Sequence, residues 1–301
     1  MFSLGSGSMS HPRSGYLFAF IGTTVFSFTL PMVKLALVSF GPWTITMGRM
    51  AIAGVTALIV VLVTKTPLPD RQYWKRIFFT ALGISFGFPI LTTIALQRTS
   101  SAHGAVIIAG LPLATATLAV IRHKERVTPL FWFGAILGAA VLATYAWLHG
   151  GSQGADPIAD LLLLGAVFAS AFGYAEGAAL TKVMPNWHVV TWCVIMFLPI
   201  SIISAIAAHI IGDAGKPIVG SAVFGFLFTS FGSMYLGFFA CYRGLADLGV
   251  ARGSQVQLVQ PMMTLLWSSL ILGEVISSGT LLAALAVLSC VVLTQKARHL
   301  Y

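Results

Sequence analysis

Glu176, in the run Gly173-Tyr174-Ala175-Glu176-Gly177, is a carboxylate placed well inside an apolar stretch. Burial favours the protonated form of a carboxyl group, so such a residue suits proton exchange or amine binding. A structural hydrogen bond to a backbone or hydroxyl group is the plainer alternative, and residue type alone does not separate the two. Gln257 and Gln260 stand three apart on one helical face. Their amides can bridge neighbouring helices or recognise a substrate's amine or carboxylate. His103, Ser254 and Gln255 add polar groups to the same region. Lys34 and Arg49 are cations inside otherwise apolar runs, where a charge needs a partner, water or a function. Lys34 is placed to snorkel to an interface, and a stabilising role is the expected one for Arg49.

Pro31, Pro89, Pro112, Pro199 and Pro261 also fall within apolar runs. A proline inside a helix frees a carbonyl and bends the axis, which membrane proteins tolerate beside a cavity or a neighbouring helix. Aromatic side chains are dense around Phe86, Phe88 and Tyr235. An aromatic-lined cavity binds planar or apolar groups by area burial and ring stacking. The candidate binding residues of a central cavity are therefore Phe86, Phe88, Pro89, His103, Pro112, Tyr174, Glu176, Tyr235, Gln257, Gln260 and Pro261. No catalytic residue, metal or cofactor is expected. Gly212-Asp213-Ala214-Gly215-Lys216 lacks the spacing and context of a phosphate-binding loop, and no zinc-protease or paired-aspartate pattern occurs. Cys193, Cys241 and Cys290 lie in or at the end of apolar segments without metal-ligand spacing, and read as buried inert thiols.

The elements that must hold these residues are membrane helices. The chain is 57% hydrophobic and 8% charged, against about 45–50% and 25% in soluble domains. Ten apolar runs long enough to cross a bilayer fall near 14–39, 42–64, 77–97, 102–121, 129–148, 157–181, 188–211, 217–242, 251–272 and 276–295. Their connections are too short to fold independently. Residues 1–13 read as a loose or appended N-terminal segment and 297–301 as a short tail. With both termini cytoplasmic, thirteen of the seventeen lysines and arginines fall on the cytoplasmic side. The net charge of +9 is thus a topology signal rather than a nucleic-acid patch.

An internal repeat supports this count. Ala102-His103-Gly104, Pro112 and Glu125 align without a gap on Ala251-Arg252-Gly253, Pro261 and Glu274, each pair 149 residues apart. Five helices per half is an odd number, so the second half (157–296) must insert upside down relative to the first (14–148). Pro112 and Pro261 would then mark the two sides of the central site. The expected fold is all-α and integral to the membrane: ten transmembrane helices as two inverted five-helix repeats.

On these residues the chain resembles the drug/metabolite transporter superfamily, specifically its ten-helix EamA-type branch. The resemblance covers 14–296. It is carried by Lys34 and Arg49 around Gly41-Pro42, and by Pro112…Glu125 and Pro261…Gly273-Glu274, which are similar to the family's proline, apolar run, Gly-Glu ending. His123-Lys124 replaces the usual glycine before the first glutamate, and Gly22-Thr23-Thr24 stands near the place of a usual Trp-Gly. The resemblance implies a secondary transporter of the inner (plasma) membrane that exports small metabolites by alternating access. Amino acids, aromatic or broadly neutral, are the substrates implied by the branch it is similar to. Multidrug export on the same fold is one alternative, and a membrane enzyme acting on lipid-soluble substrates is another from a different class. Implied partners are the substrate, membrane lipids and protons as an open coupling question, with no nucleic acid and with a monomer or weak dimer as the assembly.

Overall fold

The computed structural model describes residues 12–123, 127–149, 156–181, 183–248 and 256–298, and among these the regular structure is entirely helical. Lipid offers no hydrogen bonds to a bare backbone, so a chain this apolar must satisfy its amides within helices. Most of the expected N-terminal segment and tail lie outside the described residues, as do Glu125, Lys182, Ser254 and Gln255.

The first pass is α1 (Pro12–Ser27) and α2 (Thr29–Ala36), followed by α3 (Pro42–Thr64). The next is composite: α4 (Trp74–Thr80), a π-helical stretch Ala81–Gly87, and α5 (Phe88–Ala95). Then come α6 (Ser101–Ile108), α7 (Leu111–His123), α8 (Pro129–His149) and α9 (Pro157–Leu180). The second half continues with α10 (Asn186–Met196), α11 (Leu198–Ala208) and α12 (Gly220–Leu227). A second π-helical stretch, Phe228–Leu236, leads into α13 (Gly237–Leu248), and α14 (Gln260–Leu272) and α15 (Ser278–Arg298) complete the chain. Among the described residues eight stretches are long and apolar enough to span a membrane, or nine if the pair bent by 53° at Phe197 is one span. The remaining expected span, 251–272, is represented by α14, whose 13 residues fall short alone. A span needs about 20, and residues 249–255 ahead of it are outside the described ones.

All five prolines that the sequence places inside spans occupy the second or third position of a new helical piece: Pro31 in α2, Pro89 in α5, Pro112 in α7, Pro199 in α11 and Pro261 in α14. A missing N–H does no harm in a first turn, where the amide has no intrahelical acceptor. The spans are therefore broken where the prolines say they must be.

The 149-residue offset reappears in the element boundaries. Shifting α7 by 149 gives α14 and shifting α8 gives α15, residue for residue, while Ala81–Gly87 maps to 230–236, inside the second π stretch. Packing follows the same relation. α1 packs along α13, and its counterpart α9 packs along α4, the first π stretch and α5. α3 lies against the second π stretch, and α10 against α4 and the first. Glycines allow the closest of these approaches. A Cβ added to Gly83 would come within 2.4 Å of the Ala169 carbonyl and 2.7 Å of the Gly173 Cα, so the first π stretch touches α9 backbone to backbone. Gly134 and Gly138 of α8 likewise leave room for the Thr294 and Cys290 side chains of α15. The largest apolar cluster gathers Val33, Leu96, Val106, Leu142, Leu265 and Val287 from both halves. All three cysteines are buried and free.

Candidate functional site

Charged groups with contrasting surroundings stand in two settings. The first is the end of the bundle that carries the 37–41, 96–100 and 273–277 turns, called the distal end below. There Glu274 accepts from the amides of Ser101 at 2.8 Å and Ala102 at 2.7 Å, while Ser100 Oγ accepts from the His103 amide at 3.0 Å. Three of the four amides that a helix start leaves without partners are thus satisfied at α6, and a carboxylate there also complements the helix dipole. Asp213 does the same for α3, taking the Gly41 amide at 2.9 Å while Lys216 Nζ sits 2.7 Å from its Oδ1. Lys34 serves a helix end of opposite polarity: its Nζ donates to the carbonyls of Leu96 at 2.6 Å and Thr99 at 2.7 Å, just past α5. The expected snorkelling lysine therefore has defined backbone partners. One level deeper, His103 Nε2 lies 2.5 Å from Asp160 Oδ1, both side chains almost fully enclosed, and the imidazole stacks on Tyr145 at 5.0 Å.

The second setting is the middle of the bundle, between α3 and the second π stretch. Arg49 is 3% exposed. Its Nη2 donates to Ser233 Oγ at 3.1 Å, and Thr29 Oγ1 donates to the same oxygen at 2.9 Å. Arg49 Nε is buried with no acceptor among the described residues. Two residues beyond Ser233, Tyr235 is buried with its hydroxyl 3.2 Å from Thr191 Oγ1. Tyr235 packs with Met50, Ala53 and Ala57 of α3, and Phe86, Phe197 and Phe238 border that cluster. Phe86 stacks on Phe197 at 6.3 Å, and Phe238 meets Phe26 edge-on at 4.9 Å. Phe86 and Tyr235 are 149 apart, so each half sends one ring from its π stretch into a shared cluster. The break between α1 and α2 is held nearby by Trp267, which stacks on Phe28 at 4.3 Å and donates to Ser27 Oγ at 2.9 Å.

The residues expected from sequence divide among several places. Phe86 and Tyr235 come together in mid-bundle. Phe88 and Pro89 open α5, with the Pro89 carbonyl accepting from Thr93 Oγ1 at 2.6 Å. His103 is committed to Asp160 at the distal end. Gln257 reaches Cys241 Sγ at 2.9 Å, and Tyr174 lies within electrostatic range of the same thiol. Glu176, one half-turn further along α9, is buried. Pro112, Gln260 and Pro261 sit half-buried at the starts of α7 and α14. A cleft of about 290 Å³ between the 67–73 and 183–192 segments is lined by none of these residues.

Two features escape a sequence reading. Asp160 stands in the first turn of α9, where an acid looks like an ordinary helix-start residue. The π stretches read as ordinary helix in the sequence, although both contain Gly and Ser in an apolar setting and such turns concentrate at functional sites.

Comparison with known proteins agrees with this architecture. The profile of the EamA-like transporter family matches residues 13–146 and, a second time, 157–295. The chain is 36% identical over 288 residues to the uncharacterized transporter YdeK of Bacillus subtilis (strain 168), covering 96% of this chain and 99% of that one. It is 24% identical over 256 residues to the uncharacterized transporter YyaM of the same organism, covering 82% and 83%. A crystal structure with 17% identity superposes at a TM-score of 0.65, covering 96% of this chain and 99% of its own, and so shares the fold.

Proposed function

This chain belongs to the EamA-like transporter family and is a multi-pass protein of the inner (plasma) membrane; from that premise we propose that it exports amino acids, aromatic or broadly neutral. In this reading ten helices form two inverted five-helix halves, with both termini cytoplasmic and the distal end outside. The substrate sits in mid-bundle between the π stretches, and the halves rock about it to open each face in turn.

The observation that carries the reading is the pairing of Phe86 and Tyr235. Corresponding elements of the two halves each contribute an aromatic ring to one buried cluster, next to a buried guanidinium. A site built from equivalent parts of both halves changes shape whenever the halves move against each other, which is what transport by rocking needs. Broken helices beside the site supply hinges, and at Gly83 and Gly173 the two halves come close enough for backbone to meet backbone.

Counterflow tests the proposal. Proteoliposomes containing only this protein, loaded with unlabelled phenylalanine, should accumulate labelled phenylalanine from outside. Repeating the assay with an imposed proton gradient reads the coupling. Absence of counterflow for every neutral amino acid, with a folded protein, refutes the substrate assignment. Topology has its own test: single cysteines at Lys65 and Val38 should label from opposite faces, Lys65 from the cytoplasm.

A further inference from the structure

We propose that Arg49 and Ser233 form the docking site for a carboxylate, so that the substrates are small organic acids or amino acids rather than amines or neutral drugs. The inference rests on the transporter reading above and deepens it by assigning the groups that hold the substrate's carboxylate.

The argument is an accounting of donors. Ser233 Oγ accepts from both Arg49 Nη2 and Thr29 Oγ1, and its own hydroxyl proton has no acceptor among the described residues. Arg49 Nε–H likewise has none, although it is buried. Two donors on neighbouring side chains, one of them cationic, therefore lie in the same buried place without an acceptor among the described residues. Every other cation described in the bundle interior or at its distal end has an acceptor: Lys34 has two carbonyls, Lys216 has Asp213 and Arg98 has Asp156. Arg49 forms no ion pair with any described carboxylate. An uncompensated buried charge costs several kcal/mol even after relaxation, so a structural role alone leaves the residue unexplained.

The missing partner is an acceptor carrying negative charge. A guanidinium presents N–H groups in a planar fork that matches a carboxylate's two oxygens. The hydroxyl of Ser233 adds a third donor at its side. An amine or a neutral amide would leave the cation uncompensated. Met50, Ala53 and Ala57 of the same helix are fully buried with Tyr235 in one apolar cluster, which the rest of a molecule held at Arg49 would adjoin.

Thermal unfolding of the detergent-solubilised full-length protein tests the site without depending on transport. Benzoate, benzamide and benzylamine share a ring and differ in the group offered to Arg49. Benzoate should raise the Tm of the wild type and the other two should not. Arg49→Gln should abolish the benzoate shift, Arg49→Lys should keep a reduced one, and Ser233→Ala should weaken the apparent affinity about tenfold, the equivalent of one charge-assisted hydrogen bond. Arg49→Met should unfold in the absence of ligand no earlier than the wild type, because it removes an unpaired buried charge. Equal shifts with benzoate and benzamide, or an undiminished benzoate shift in both Arg49→Lys and Ser233→Ala, would overturn the inference even if the Gln variant failed to fold. A marked fall in Tm for Arg49→Met would do the same by showing a structural role. Should benzoate bind as expected while no amino acid exchanges across liposomes, the carboxylate site stands and the amino-acid export reading falls.

Discussion

The distal end and the middle of this bundle treat polar groups in opposite ways. At the distal end Glu274, Asp213 and Lys34 each bind helix termini through short hydrogen bonds, and those termini would otherwise be bare. In the middle Arg49 makes one bond, leaves Nε empty and faces a hydroxyl whose proton is uncommitted. Charge at the first place completes the architecture, whereas charge at the second awaits something the chain does not contain. Substitutions should accordingly affect folding alone at one place and binding as well at the other.

The largest effect is expected from Glu274→Ala, which strips two amides of a charged acceptor. Each such bond contributes roughly 1.5–3 kcal/mol, so denaturation of the purified protein should shift by about 3 kcal/mol or more, while the molecules that remain folded exchange substrate at the wild-type rate. Loss of exchange in fully folded Glu274→Ala protein would erase the distinction drawn above. Tyr235→Ala in the middle should instead impair exchange as well as folding. Loss of its buried ring should cost about 3 kcal/mol of stability, as core truncations do, and in the molecules that stay folded KM for an aromatic amino acid should rise about tenfold, or roughly 1.4 kcal/mol. Tyr235→Phe removes only the hydroxyl 3.2 Å from Thr191. A net loss of about 0.5–1.5 kcal/mol of stability is expected from that deletion, with KM nearly unchanged if the ring is what the substrate touches.

The smallest effect belongs to Asp156, exposed at the distal end. Its hydrogen bond from Arg98, helped by the Ile158 amide, holds its carboxyl below the usual aspartate range. A lowered folded pKa means that the pair's contribution is complete above the unfolded value of about 3.9 and fades as pH falls through the folded one. Acid unfolding curves of wild type and Arg98→Met should therefore differ at neutral pH and converge in strong acid. Parallel curves throughout would mean that solvent screens the pair completely.

Much of the fold was legible because the bilayer leaves few choices. Apolar runs located the spans, and the five internal prolines located their breaks, since a residue without an N–H is tolerated only where a helix restarts. The offset read from Pro112 and Pro261 recurs in the bounds of α7 and α14 and of α8 and α15. The candidate site was legible only in fragments. Phe86 and Tyr235 could be singled out by type, and the repeat relates them, but pairing depends on two π stretches that look like ordinary helix in the sequence. His103 looked like a cavity residue because its partner, Asp160, is 57 residues away. Arg49 was read as structural from its depth in the helix, and only the positions of Thr29 and Ser233 reveal a hydroxyl with a spare proton.

The caps at the distal end also set a timetable. Gly41 waits for Asp213 and Ala102 waits for Glu274, and each wait spans 172 residues. At a synthesis rate of about 5–20 residues per second the delay is roughly 10–30 s. For that interval the early helices stand in lipid with open ends, dependent on water at the membrane surface or on the insertion machinery. Residues made late are thus the ones that close helices made early.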